Sequence, residues 1–288
     1  MLRVWILLAW ISCYCSTSIS SQDLDAQYVY AQDQYAVGNI DIALKEYLRT
    51  YYFDREGSYE SLPSEIANCF VELNDYKHAL DFYDLYLNQP TVSNSNRFSA
   101  QLRKSQINLL NNDPNTAMVQ LLSISTPNNI DDSNRYNFLL GFTYLVNSDI
   151  ESGFSAINNL SYIQDSHREE LQNFKKDLEK NLSTNHNIPR LMSAIIPGTG
   201  QIVNGELADA ANSMLLTGGL LFLLVDVAKE LTLLDALASV GPFYFRYYLG
   251  GINNAQSGSI NKEKRKESQL LSEFLLFIKD CKSASIED

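Results

Sequence analysis

The sequence predicts an all-α protein, a helical solenoid followed by a small hydrophobic helical hairpin in a membrane. Three observations carry that expectation. Pairs of apolar helical segments recur over residues 24–160 with a small residue at near-constant spacing. A charged segment with a single apolar stripe follows at residues 165–183. Long apolar runs interrupted by proline and glycine then occupy residues 188–258.

The first expected element is a secretory signal at residues 1–20. Arg3 supplies a short basic region and residues 4–11 form an apolar stretch too short to span a bilayer. Ser18 and Ser20 stand at suitable −3 and −1 positions, so cleavage is expected near Ser20. A retained anchor is the alternative. Cys13 and Cys15 could accept a lipid, but the residues before them lack the usual Leu-small-small pattern.

The second element is a repeat domain over residues 21–162. Its four copies contain YAVGNIDIALKEYLRTYY, IANCFVELNDYKHALDFYDLYL, AQLRKSQINLLNNDPNTAMVQLL and YNFLLGFTYLVNSDIESGFSAI. In each, an apolar helix meets a polar turn, and a small residue enters a second helix. Those small residues are Ala43, Ala79, Ala117 and Gly153, spaced by 36, 38 and 36. A small side chain there lets the neighbouring helix approach. Asn39, Asp75, Asp113 and Asp149 provide capping chemistry for the second helices. In the first two copies an aromatic, Tyr47 or Tyr83, follows one turn later on the same face.

These small and aromatic positions, with Gly141 in the fourth copy, resemble the tetratricopeptide repeat family. The spacing exceeds that family's 34 residues, its proline after the second helix is mostly missing, and Gly153 replaces the usual alanine. The resemblance implies a scaffold or adaptor with a concave surface for a protein or peptide partner. Tyr30, Tyr47, Tyr76 and Tyr83 are the candidate interaction face, with packing between helices as the alternative for each.

Residues 163–187 are expected to form a linking or capping helix that closes the solenoid, with Leu171, Phe174, Leu178 and Leu182 as its apolar stripe.

The apolar module is expected over residues 188–258. Pro197, Gly198 and Gly200 interrupt a helix begun near Pro189. Residues 215–225 are strongly apolar, and a second run at 231–249 contains Asp235, Pro242 and Arg246. The pattern Ser193, Pro197, Gly198, Gly200, Gln201 and Gly205, with Gly250 in a later element, resembles the membrane module of a group of largely uncharacterised bacterial envelope proteins. Val203 stands where that group often has tyrosine. The resemblance implies location and architecture, not a biochemical role. Physically, Gly200 and Gly205 would permit close helix approach in lipid, and Gln201 would satisfy backbone freed by the break. Residues 259–288 are expected to form a basic segment, KEKRK at 262–266, and an amphipathic C-terminal helix.

Composition narrows the function classes. The chain has 288 residues and a formal net charge of −12, which argues against a general nucleic-acid binder. Residues 21–189 hold 23 acidic and 12 basic side chains, whereas residues 190–288 hold 11 and 9. An acidic polar part thus gives way to an apolar one. Cys69 and Cys281 lie far apart and form neither a disulfide framework nor a metal site. Cys69, within IANCFVEL, is expected to be a buried thiol. His78, His167 and His186 share no local motif, and there is no HExxH, GxSxG, CxxC or dinucleotide fingerprint. No catalysis, metal or cofactor is expected.

The expected function is an envelope membrane protein with its repeat domain on the exported side, acting as a protein-interaction scaffold. A component of a transport, insertion or biogenesis complex is the alternative, favoured by any polar path lined by Gln201, Asp235 or Arg246. A structural envelope protein is a third reading.

Overall fold

The computed structural model describes residues 21–125 and 129–287. The expected export signal lies outside the described residues. Those residues divide into two units, split between Ser161 and Tyr162, one residue from the expected boundary.

The first unit is all-helical and solenoid-like. It comprises α1 (Ser21–Ala36), α2 (Ile40–Phe53), α3 (Leu62–Glu72), α4 (Tyr76–Leu87), α5 (Asn94–Leu110), α6 (Pro114–Ser123), α7 (Ile130–Val146) and α8 (Ile150–Ile157). Each helix packs chiefly on its neighbours in sequence, the contact pattern of stacked repeats.

One turn is reused four times. Gly38, Asn74, Asn112 and Ser148 all have positive φ, between 58° and 82°. Each is followed by Asn39, Asp75, Asp113 or Asp149, whose N–H donates to the carbonyl of Gln34, Phe70, Asn108 or Tyr144 at 2.8–2.9 Å. The positive-φ residue itself donates three residues back. This is the double closure of a Schellman motif, which satisfies carbonyls left free at the helix end. In the last three copies the aspartate then caps the next helix, accepting from the N–H of His78, Thr116 or Ser152. One residue therefore stops a helix with its backbone and starts the next with its side chain.

The small residue sits five positions after each positive-φ site. Ala43, Ala79 and Ala117 are fully buried. In the last copy both facing positions are glycine. A β-carbon on Gly141 would lie 2.9 Å from Ile157 and 3.0 Å from the Gly153 carbonyl oxygen. A β-carbon on Gly153 would lie 2.6 Å from Leu145. Cys69 is buried in the core formed with Ala31, Ala43, Tyr47, Leu62 and Ile66, and burial pushes its thiol up to about 12.

The second unit begins with a 3-10 turn, Asp165–His167. It continues through α9 (Arg168–Leu182), α10 (Asn187–Ile195), α11 (Thr199–Asn204), α12 (Leu207–Glu230), α13 (Leu233–Ser239) and α14 (Gly241–Glu287). Helix α14 runs back along α12, bringing Gly251 to Ser213.

One expectation changes here. The expected boundary at residue 258/259 is absent, because α14 is one helix of 47 residues, about 70 Å long. Nothing in residues 250–268 forces a break: no proline occurs there, and Gly250, Gly251 and Gly258 are tolerated within a long helix. In α9, Leu171 and Leu178 are buried, and Phe174 meets the rings of Phe274 and Phe277 at 5.7 and 5.5 Å.

Two tests address the repeat unit. Gly141→Val forces an overpacked helix pair and is expected to lower the stability of the full-length protein by about 1–3 kcal/mol, read as a lower melting temperature by circular dichroism. Acid is the second. Hydrogen bonds from His78 hold Asp75 below the ordinary 3.8, and those from Thr116 do the same for Asp113. The stabilisation from a depressed carboxyl is present above the unfolded value and is lost as pH falls through the folded one. Asp75→Asn with Asp113→Asn retains capping but not titration, so its melting temperature should fall less steeply below pH 4 than the wild type's. Parallel curves would contradict this.

Candidate functional site

The second unit is held together by polar bonds to one face of α14. Pro197 ends α10, and Gly198 turns the chain with φ +88°. Gly200 then passes so close to α10 that a β-carbon there would overlap the Pro189 carbonyl oxygen and lie 2.5 Å from Ser193 Oγ. Gly198 is similarly confined, 2.6 Å being left between its β-carbon position and the Ala210 carbonyl oxygen.

This approach builds a directed relay. The Gly200 N–H donates to Ser193 Oγ at 3.0 Å, Ser193 Oγ donates to Gln201 Oε1 at 2.8 Å, and Gln201 Nε2 donates to the Gly251 carbonyl at 2.8 Å. Gln201 and Ser193 are each only 1% exposed. Every polar atom of the Gln201 amide that faces the interior therefore has work to do, as a buried polar group requires. The expected bond from Gln201 to backbone is present, but it reaches α14, fifty residues away, not the broken helix beside it.

Further bonds continue along α14. Tyr248 Oη donates to the Ala194 carbonyl at 2.6 Å, and Asn204 Nδ2 donates to the Ala255 carbonyl at 2.7 Å. His186 Nδ1 pairs with Ser259 Oγ at 2.9 Å and its Nε2 meets Glu263. Asn181 Nδ2 donates to the Glu263 carbonyl at 3.1 Å. Gly251, Ala255, Ser259 and Glu263 recur every fourth residue and so share one helix face.

Gly250, not Gly251, belongs to the motif named from the sequence. A β-carbon on Gly250 would meet nothing within 4 Å, whereas one on Gly251 would lie 2.6 Å from Ser213 Oγ. The i, i+4, i+8 run of small residues from Gly251 is a readable signal for the contact face. Gly205 has φ +86° and open space at its β-carbon position. Its role is thus a turn between α11 and α12, not helix approach.

A cleft of about 280 Å³ lies beside the relay, lined by Gln201, Asp209, Asn212, Ser213, Arg246 and Asn254 among others. Ser213 Oγ is buried without a hydrogen-bond partner among the described residues. Of the residues expected on a polar path, Gln201 and Arg246 meet here. Asp235 does not: its carboxylate accepts from Thr232 Oγ1 at 2.6 Å at the start of α13.

The expected interaction face in the first unit is divided. Tyr47 and Tyr83 are buried between helices, and Tyr83 Oη donates to Asn68 Oδ1 at 2.7 Å. Burial pushes the Tyr83 phenol up to about 12. Their apolar rings fill the space opened by the small residue one turn earlier, which leaves no surface to offer. Tyr30 is exposed and lines a groove with Gln27, Glu46, Arg49 and Phe53. Tyr76 is half-buried, its hydroxyl on Asn74.

Among the described residues no group of three or more His, Cys, Asp or Glu side chains is placed to hold a metal ion. His78 bonds to Asp75 at 2.7 Å at an exposed helix start. The chain matches no protein-family model, no curated protein and no solved structure.

The glycines give the sharpest check on this geometry. Gly200→Ala must displace backbone and is expected to destabilise the full-length protein by about 1–3 kcal/mol or more. Gly250→Ala has room, and is expected to raise stability by up to about 1 kcal/mol through helix propensity. Equal melting shifts for the two variants would contradict the placement of the relay.

Proposed function

We propose that this chain is a membrane-associated envelope protein, with the apolar module as its anchor and the repeat unit as an interaction arm for a protein or peptide. The supporting observation is the uncovered apolar surface of residues 188–249. Leu215, Phe222 and Leu234 are 76%, 74% and 78% exposed, and exposed large apolar side chains recur throughout that stretch. By contrast, Leu276 is the only such side chain among the described residues 250–285. An apolar patch of this extent requires a covering phase.

Lipid suits it in length as well as composition. Helix α12 has 24 residues, about 36 Å, against a hydrocarbon core of about 30 Å. Among the described residues it is the one helix long and apolar enough to cross a membrane, and only 11% of its most apolar stretch is buried. A core helix of a soluble protein would be mostly covered. In this reading α12 crosses, α13 turns, and the first part of α14 returns, forming the membrane hairpin.

The hairpin reading has a consequence for the basic run at 262–266. Asn181 and His186 bond to α14 at Ser259 and Glu263, and Phe174 packs on Phe274 and Phe277. Residues 163–187 and 259–287 therefore share one side of the membrane. With a cleaved export signal, that is the exported side.

The tetratricopeptide-like reading of the repeat arm is supported by the recurrent turn and the buried small residues. Of the tyrosines expected on its interaction face, Tyr30 and Tyr76 stay accessible. The reading includes no catalytic step and no cofactor. A second reading, a component of a transport, insertion or biogenesis complex, is favoured by the cleft holding Arg246, whose guanidinium has no ion-pair partner among the described residues. A charge at that depth is expensive in lipid and points to a functional role.

Alkaline carbonate extraction and protease mapping of sealed vesicles test the anchor. The full-length protein should remain in the membrane fraction, and tags at residue 185 and at the C-terminus should be cut from the same side. Release by carbonate, or cutting from opposite sides, would sink the hairpin.

A further inference from the structure

A second cavity lies at the seam between the polar and apolar parts of the second unit. It has a volume of about 330 Å³ and is lined by residues of α9, α10, α11 and the middle of α14. Three lysines face it: Lys180, Lys262 and Lys266. Lys262 Nζ makes one long bond, 3.4 Å to the Val203 carbonyl. The ammonium groups of Lys180 and Lys266 have no hydrogen-bond or ion-pair partner among the described residues.

The acid in the cavity is already engaged. Glu263 meets His186 Nε2, while His186 Nδ1 takes Ser259 as its partner. Nearby Glu267 is pushed up by burial and by the Glu263 carboxylate. Three lysines thus line a space whose local carboxylate is held by another partner, and an anion is the complementary ligand.

The remaining wall is apolar. Ile188, Pro189 and Val203 line the cavity, and Ile188 and Val203 are exposed and continuous with the uncovered surface of α10 and α11, including Leu191 and Ile202. A ligand that fits both walls carries an anionic head and an apolar tail. A free anion would use only the lysines.

We propose that this cavity binds the phosphate-bearing headgroup of an anionic phospholipid, with its acyl chains along the exposed faces of α10 and α11. The proposal rests on the membrane reading above. It places the lysines at the depth where headgroups lie, directly above the apolar side chains of the hairpin. Loss of each lysine should weaken binding about fivefold, the effect of one basic side chain near an anionic surface.

The test uses full-length protein purified in neutral detergent. Binding of phosphatidylglycerol, phosphatidylcholine and inorganic phosphate is followed by native mass spectrometry and by shift in melting temperature. Wild type should retain phosphatidylglycerol in preference to phosphatidylcholine, and inorganic phosphate should not displace it. The variant Lys180→Gln with Lys262→Gln and Lys266→Gln should lose that preference by about two orders of magnitude. The control Lys264→Gln with Arg265→Gln and Lys279→Gln loses the same charge outside the cavity and should keep it. Equal losses in both variants would reduce the effect to general charge and overturn the site. Displacement by inorganic phosphate would make it a free-anion site and overturn the lipid. Circular dichroism of both variants establishes that they fold, and a Lys180→Gln single variant gives the per-lysine effect should the triple variant unfold. Carbonate extraction of the wild type separates the two readings: retention without lipid preference overturns the headgroup site alone, and release overturns the anchor with it.

Discussion

Close approach of backbones, at positions where no β-carbon or only a methyl group fits, is the constraint on which both units depend. In the first unit Ala43, Ala79, Ala117 and the Gly141–Gly153 pair let consecutive helices meet. In the second, Gly198, Gly200 and Gly251 do so. The gain differs with surroundings. In the repeat unit, approach lets rings such as Tyr47 and Tyr83 fill the adjacent core, where burial of apolar area is the driving term. In the apolar module much of the apolar surface stays uncovered. Approach there brings polar groups within bonding distance, so that Ser193 and Gln201 can tie α10, α11 and α14 together.

That relay explains why an apolar module carries so many polar side chains. A helix break in a dry setting frees backbone groups that must find partners. Ser193 receives the Gly200 N–H, and Gln201 carries the bond onward to α14. Asn204, Tyr248, His186 and Asn181 extend the same solution along the helix. The seam therefore runs without interruption from the apolar part of the second unit into the polar pair of α9 and α14. It is this continuity that makes α14 a single structural spine, with the lysine-lined cavity beside it.

Much of this architecture was legible locally. The four turns could be read because each depends on residues within six positions: a residue tolerant of positive φ, an Asx residue after it and a small residue five positions on. The Pro-Gly break was legible for the same reason. The candidate site was only partly so. Ser193, Gly198, Gly200 and Gln201 stand in one short motif, but their partner Gly251 lies fifty residues on from Gln201, beside an indistinguishable Gly250. Choosing between them needs the rotation of α14 about its axis, which only the packing defines. The every-fourth-residue run of Gly251, Ala255 and Ser259 held that information, obscured by the adjacent glycine.

The sequence by itself determined the all-helical class, the positions of the repeat turns and the place where polar chain gives way to apolar chain. Those features follow from backbone preferences and hydrophobic period, which act over one or two turns. The tertiary structure decided which stripe covers which. It buried Tyr47 and Tyr83, set Phe174 of α9 against Phe274 and Phe277, and ran the apolar, basic and amphipathic segments of α14 together as one helix. The reason is that an apolar stripe specifies that it must be covered, not by what. Its partner is selected by distant residues that compete for the same surface.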